Sequence, residues 1–181
     1  MLKSVPNSVL WLIDGGVTVA DNLRREADKR GVNAARLVFA PRVPLKAHLA
    51  RHRLADLSLD TLPCNAHTTA SDALWSGLPL ITCLGGTFAG RVAASLLHAA
   101  GLPELVTSSL ESYEALALQL AIDRPRLQEL KRKLASNIRS CALFDTERYK
   151  NDIEKAFTTM WERSEAGELP ISFAVDRVKS G

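Results

Sequence analysis

Short apolar segments alternate with longer amphipathic segments along most of the chain. Apolar or alternating runs at residues 8–13, 36–40, 56–60, 80–84 and 104–106 predict β-strands. Apolar residues at helical spacing predict helices at residues 19–30, 45–53, 68–76 and 88–100. From residue 110 onward the pattern is helical, and the last helix is predicted at 146–164. Strands that alternate with helices in this way predict an α/β fold with a doubly wound, Rossmann-like parallel sheet.

The size of the chain fits one folded domain followed by a short tail. The chain has 181 residues and a mass of 19.7 kDa, with 46% hydrophobic and 24% charged residues. A compact monomer of this mass exposes about 8,600 Å² of surface. We assign residues 1–166 to the domain and predict that residues 167–181, which have no clear periodicity, form a loose tail.

Composition limits the compartment and the partners that we expect. No apolar run reaches the roughly 18 residues of a membrane span, and the N-terminus lacks the apolar stretch of a signal peptide. Three cysteines without CxxC spacing support neither a disulfide framework nor a zinc knuckle. These features predict a cytoplasmic, soluble protein.

A basic stretch at residues 124–139 is the main local departure from a net charge of only +3. The same stretch places Leu127, Leu130, Leu134 and Ile138 at helical intervals. This combination is typical of a surface helix with a solvated basic face, and it has no interleaved aromatic residues for stacking on bases. We therefore predict no nucleic-acid partner.

The connection from residue 60 to residue 72 is the strongest candidate for a binding site. It reads Asp-Thr-Leu-Pro-Cys-Asn-Ala-His-Thr-Thr-Ala-Ser-Asp and leads from a strand into a helix. Ligands of open α/β sheets bind beyond the carboxyl ends of the strands, and a helix start attracts anions. Thr68 and Thr69 could add hydroxyl donors to such a site. Equally, one of them could simply cap the helix.

Two further connections carry weaker signals. The turn at Gly85-Gly86-Thr87 matches neither GxGxxG nor a Walker A loop, which favours a tight turn over a phosphate site. His48 and Arg51 share one helical face. His48 and His52 have the spacing of zinc-protease ligands, but Leu49 follows His48 where such an enzyme needs a glutamate, so a metal site is disfavoured.

The motifs around residue 65 resemble a known family. The segment 60–69, followed by Asp-Ala-Leu-Trp at 72–75 and Gly-Leu-Pro at 77–79, is similar to the C-terminal half of the catalytic region of bacterial O-GlcNAc transferases. These are UDP-GlcNAc:protein glycosyltransferases of the GT-B class. The resemblance extends from residue 6 to residue 163, through residues 8–12 upstream and through residues 87–97, Tyr113, Tyr149 and residues 160–162 downstream.

The resemblance implies a set of residues that bind the UDP-sugar donor: Val43, His48, Arg51, His67, Thr68, Thr69 and Asp72. In this scheme residues 67–69 hold the diphosphate, and Asp72 accepts from the ribose hydroxyls. The backbone of Val43 meets the uracil edge, while His48 and Arg51 line the nucleoside pocket. The roles of Lys46, beside a position where some members have lysine, and of Cys64, in the loop that passes the sugar, stay open.

The resemblance also implies the reaction. The intact enzyme would transfer GlcNAc from UDP-GlcNAc to Ser or Thr hydroxyls of proteins with inversion, and it would need neither a metal nor a cofactor. The N-terminal catalytic half and the tetratricopeptide repeats of the family are not found in these 181 residues. We expect this chain to contain no catalytic residue and to be inactive alone. Two alternatives are a non-catalytic nucleotide-binding or interaction module, and a relative that uses GDP-fucose or UDP-glucose.

Overall fold

A computed structural model describes residues 1–175 and confirms the predicted α/β alternation. The strands are β1 (Leu10–Ile13), β2 (Leu37–Ala40), β3 (Ser58–Leu59), β4 (Leu80–Cys83) and β5 (Val106–Thr107). The α-helices are α1 (Val17–Lys29), α2 (Leu45–Arg51), α3 (Thr68–Trp75), α4 (Val92–Ala99), α5 (Leu110–Ile122), α6 (Arg124–Asn137) and α7 (Thr146–Glu165). Short 3-10 turns lie at Ala34–Arg36, His52–Leu54 and Pro103–Leu105.

All strand pairs are parallel, as predicted, but their hydrogen bonds form two sheets. β1 pairs with β2 along four residues, with Leu10 opposite Leu37. β4 lies between β3 and β5 in the second sheet. β3 is only two residues long, and both of its residues pair with β4. The single continuous sheet of the sequence prediction is therefore divided between β1–β2 and β3–β4–β5 within the described residues.

The main core surrounds β4. Every residue of this strand is buried, and the surrounding helices contribute leucines and alanines to one cluster. The largest fully buried aliphatic side chains of that cluster are Leu74, Leu80, Ile81, Leu97, Leu102, Leu105, Leu120 and Leu134. The loop at 84–91 follows β4, and the loop at 60–67 follows β3, which pairs with β4. Both loops are therefore attached to this core.

Two helix boundaries differ from the prediction. α4 begins at Val92 instead of residue 88, because residues 85–91 fold into a turn closed by a hydrogen bond from the Gly85 amide to the Gly90 carbonyl at 2.7 Å. The helical run after residue 110 is interrupted at Asp123 and again between Asn137 and Thr146. The amphipathic helix predicted over the basic stretch is confirmed, since α6 buries Leu127, Leu130 and Leu134.

The chain exposes more surface than a compact monomer. Its accessible surface is 12247 Å², well above the roughly 8,600 Å² expected for its mass. Large apolar side chains are exposed on several elements, including Val17, Phe88, Phe157 and Trp161. Much apolar surface of the described residues is therefore exposed to solvent.

The end of the chain has little regular structure. No helix or strand lies within residues 167–175, most of which are exposed, and residues 176–181 of the predicted tail lie outside the described residues. The division of the chain at residue 166 stays a prediction. Among the helices of residues 1–175, none combines the length and the apolar character that crossing a membrane requires.

Candidate functional site

A cavity of about 600 Å³ opens beside the loop that leads from β3 into α3. His48, His67 and Thr69 line it, so the structure brings together three of the residues predicted from the sequence. The remaining predicted residues are not among those that line the cavity: Val43, Arg51, Thr68 and Asp72. The loop at the carboxyl end of β3 supplies much of the lining, in keeping with the parallel-sheet rule, and Ser58, Leu59 and Leu80 of the strands contribute the rest of that side.

The first turn of α3 offers backbone amides without protein partners. His67 is the N-cap residue, and its side chain accepts no hydrogen bond from the helix. The amides of Ala70 and Ser71 both donate to the His67 carbonyl, at 3.1 Å each. Within residues 1–175 the amides of Thr68 and Thr69 have no acceptor. Because the helix dipole is positive at this end, these amides can bind an anion.

The hydroxyls of Thr68 and Thr69 do not cap the helix. Both residues belong to its first turn, and both are exposed. The sequence left open that a threonine side chain only caps the helix. The structure shows no such cap. A ligand at the helix start could reach both the hydroxyls and the amides.

His48 and Arg51 form a bonded pair on α2. Nη2 of Arg51 lies 2.8 Å from Nδ1 of His48, and since a guanidinium can only donate, this imidazole nitrogen accepts. Burial lowers the pKa of His48, and the positive charges of His52 and Arg51 lower it further, while Asp72 opposes them. Neutral His48 therefore carries its proton on Nε2.

Arg51 also fixes the loop in front of α2. Its Nη1 donates to the Pro41 carbonyl at 2.7 Å, and its guanidinium carbon lies 6.0 Å from the ring centroid of Trp11. The loop held in this way carries Val43, which is exposed. In the structure Arg51 thus acts on the backbone of the loop that the resemblance places against the base, and it lies outside the cavity lining.

The glycine-rich turn is a tight turn, as the sequence favoured. A Cβ atom at Gly90 would lie 3.0 Å from the Pro63 carbonyl oxygen, 3.2 Å from the Gly85 Cα atom and 3.4 Å from the Thr87 hydroxyl oxygen. The turn therefore packs directly on the loop that precedes α3. At its tip Phe88 is exposed, and its ring centroid lies 6.1 Å from that of His67 in an edge-to-face arrangement.

A buried polar network that the sequence pattern did not predict lies beneath the cavity. Asp60, at the end of β3, accepts hydrogen bonds from the amides of Thr61 and Ala66 and from the hydroxyl of Thr82. Tyr113 donates its hydroxyl to the Asp60 carbonyl at 2.9 Å. Burial raises the pKa of Tyr113 to about 12, and the nearby negative charge of Asp60 acts in the same direction. The sequence signal that could have revealed this network is Thr82, a polar residue inside an otherwise apolar strand.

The described residues hold no group of three or more His, Cys, Asp or Glu side chains that could bind a metal ion. The two histidines with zinc-protease spacing already use one ring nitrogen each. Nδ1 of His48 accepts from Arg51, and Nδ1 of His52 donates to the His48 carbonyl at 2.8 Å. Only their Nε2 atoms remain for a ligand.

Comparison with known proteins identifies the family. Residues 1–153 match glycosyl transferase family 41. The chain belongs to this family. It is 39% identical over 176 residues to an Arabidopsis thaliana protein named as a probable UDP-N-acetylglucosamine–peptide N-acetylglucosaminyltransferase, SEC, and the match covers 97% of this chain. A Caenorhabditis elegans UDP-N-acetylglucosamine–peptide N-acetylglucosaminyltransferase is 36% identical over 180 residues, covering 99% of this chain.

A solved structure supports the same assignment. The structure of a lysine-to-methionine mutant of the Thermobaculum terrenum O-GlcNAc transferase superposes with a TM-score of 0.80 at 36% identity and covers 86% of this chain. The resemblance to O-GlcNAc transferases and the α/β fold predicted from the sequence are thereby confirmed. This family 41 chain spans 31% of the Thermobaculum chain, 18% of the Arabidopsis protein and 16% of the Caenorhabditis protein.

Proposed function

We propose that this chain is the donor-binding half of a protein glycosyltransferase that uses UDP-GlcNAc. The observation that carries the proposal is the start of α3, where the amides of Thr68 and Thr69 lack partners within residues 1–175 beside a cavity of about 600 Å³. The diphosphate of a nucleotide sugar carries the charge that such a helix start attracts. The names of the Arabidopsis and Caenorhabditis relatives favour UDP-GlcNAc over GDP-fucose or UDP-glucose.

The roles of the site residues follow from this proposal. His67, Thr68 and Thr69 bind the diphosphate, and Asp72, one turn further along α3, accepts from the ribose hydroxyls. His48 faces the nucleoside from α2, while Arg51 holds the loop that presents the backbone of Val43 to the base. These contacts offset the diphosphate charge with amides and side chains, so we propose that donor binding needs no divalent metal.

The reaction proposed for the whole protein is group transfer with inversion. A Ser or Thr hydroxyl of an acceptor protein attacks the anomeric carbon of GlcNAc, the bond from that carbon to the UDP oxygen breaks, and UDP leaves. Negative charge grows on the diphosphate during this step, where the start of α3 would stabilise it. We propose that the groups that act on the acceptor hydroxyl belong to an N-terminal catalytic half, and that tetratricopeptide repeats present the protein substrate.

The large exposed surface of the chain fits a donor-binding half that packs against a second catalytic half. Exposed apolar side chains such as Phe88 border the candidate site, and the total exposed surface exceeds that of a compact monomer of this mass. An N-terminal half would cover part of that surface and complete the donor pocket. We also propose a cytoplasmic location, since Cys64, Cys83 and Cys141 are all free thiols within the described residues.

Calorimetric titration with UDP tests the proposal. We expect weak binding to these 181 residues that is unchanged by EDTA. They carry the anion-binding amides, while the proposed N-terminal half would supply the rest of the donor pocket. Loss of binding on addition of EDTA would contradict the metal-free site. Absence of UDP binding at millimolar concentrations would favour the alternative of an interaction module.

A further inference from the structure

One buried carboxylate holds both ends of the loop in front of α3. This loop, residues 61–66, is called the donor loop below. Oδ1 of Asp60 accepts from the amide of Thr61 at 2.8 Å and from the amide of Ala66 at 2.6 Å. Oδ2 accepts from the hydroxyl of Thr82 at 2.5 Å. Asp60 is only 6% exposed; its bond to Thr82 is buried, and its bonds to the two amides are partly buried.

Asp60 is itself fixed by three neighbouring elements. Thr82 belongs to β4, and its carbonyl accepts from the hydroxyl of Thr107 on β5 at 2.9 Å. The carbonyl of Asp60 accepts from the hydroxyl of Tyr113 on α5, also at 2.9 Å. The position of the carboxylate is therefore set by these elements, and the first and last amides of the donor loop are hydrogen-bonded to it.

The bonding pattern decides which amides remain for a ligand. The amides at the two ends of the donor loop are used inside the protein, on Asp60. Of the amides that follow Ala66, those of His67, Thr68 and Thr69 have no protein acceptor in residues 1–175. A change in the path of the donor loop would move the start of α3, since Ala66 is only two residues from Thr68.

Stability alone does not account for a carboxylate at this place. Burying a charged group carries a desolvation penalty that its partners must offset, and well-packed apolar residues often serve the core equally well. Three donors converge on Asp60, and two of them define the ends of one loop. Such an arrangement specifies loop geometry.

We propose that Asp60 is a positioning residue for donor binding, which sets the donor loop so that the Thr68 and Thr69 amides meet the diphosphate. This inference rests on the proposed function. Asp60 does not touch the donor. Its effect is therefore specific to the diphosphate and leaves the contacts to uridine, which come from residues 43–51 and Asp72, in place.

The test compares UDP and uridine binding to the 181-residue chain, with UDP measured by calorimetry and uridine by competition. Asp60→Ala removes the acceptor of both loop amides, and we expect about tenfold weaker UDP binding with uridine affinity unchanged within about twofold. Asp60→Asn keeps an oxygen that accepts both amides, so UDP affinity should stay within about threefold of the unmodified chain. Asn137→Ala, which removes a hydrogen bond to the Ala100 carbonyl outside the cavity, is the control for general destabilisation.

Thr82→Val provides a second route if Asp60→Ala does not fold. It removes one of the three donors to Asp60, and we expect UDP binding to weaken by about threefold while uridine binding is kept. UDP and uridine affinities that fall together, or UDP affinity that does not change in either variant, would overturn the positioning role. Failure of the unmodified chain to bind UDP would instead overturn the proposed function and, with it, this inference.

Discussion

Arg51 donates from Nη2 to Nδ1 of His48 at 2.8 Å, one turn apart on α2. The bond requires an unprotonated Nδ1, because a guanidinium has no acceptor to offer to an imidazolium N–H. Burial and the neighbouring positive charges lower the pKa of His48 in the same sense. The hydrogen bond and the local electrostatics thus both favour neutral His48 in the folded protein.

This relationship predicts a loss of stability in mild acid. The folded pKa of His48 lies below the value of about 6.5 for an unperturbed histidine, so below that value the unfolded chain binds more protons than the folded one. The stability that His48 contributes is therefore present above pH 6.5 and decreases as the pH falls below it. Denaturant midpoints measured from pH 7.5 to 5.5 should show a smaller acid-side loss for His48→Gln. His98→Gln, an exposed histidine on α4, is the control, and an equal effect of both substitutions would contradict the assignment.

Local signals predicted most of the elements that build the site. The residues Thr68 and Thr69 were expected to open a helix, and α3 begins at Thr68. β1, β2 and β4 were found at the predicted places because each is a short, mostly apolar run. A strand followed by polar residues and a helix start can be recognised within about fifteen residues of sequence, and this was enough to place the candidate site.

The features that the sequence did not reveal depend on contacts between distant positions. Asp60 is the polar last residue of a predicted strand, and its partners Thr82 and Tyr113 lie 22 and 53 positions away. The hydrogen bond from Arg51 to the Pro41 carbonyl, ten positions earlier in the chain, was not evident from the sequence either. Such pairs depend on how strands and helices pack, which helical and strand periodicity does not encode.

The glycine-rich turn packs closely on the donor loop, and this packing leaves no room for a side chain at Gly90. A Cβ atom there would lie 3.0 Å from the Pro63 carbonyl oxygen and 3.2 Å from the Cα atom of Gly85, so backbone would have to move. We expect Gly90→Ala to lower the free energy of unfolding by about 1–3 kcal/mol. Gly86→Ala is the matched control, since a Cβ atom at Gly86 would meet no atom within 4 Å. Denaturant unfolding of both variants checks the prediction, which equal stabilities would refute.

The exposed surface around the site predicts self-association of the isolated chain. Phe88 is 81% exposed at the tip of the glycine-rich turn, next to His67. Removal of this ring from water is favourable, and no part of residues 1–175 covers it. We expect Phe88→Ser to reduce the concentration-dependent mass seen by light scattering. Ile122→Ser, which removes an exposed apolar residue from the end of α5, should have less effect. A monomer at all concentrations tested would contradict this prediction.

Asp72 and Thr69 should affect donor use in different ways, because they lie at different depths in α3. Asp72 is half-buried one turn beyond the helix start, where a carboxylate is poorly placed for a phosphate and well placed for ribose hydroxyls. Asp72→Asn keeps the shape and an acceptor oxygen but loses the charge, so it should weaken UDP binding by roughly 1 kcal/mol. Calorimetry on the chain measures this loss.

Thr69→Val removes a hydroxyl from the position proposed for the diphosphate, where charge grows as UDP leaves. In the complete glycosyltransferase we therefore expect kcat to fall more than the donor KM rises. Thr158→Val, a threonine on α7 whose hydroxyl donates to the Glu154 carbonyl, is the matched control and should leave both constants unchanged. Melting curves separate these effects from a loss of folding. If Thr69→Val and Asp72→Asn only lowered the melting temperature, with kinetic constants of the folded fraction unchanged, both residues would merely brace the helix and the donor site would have to lie elsewhere.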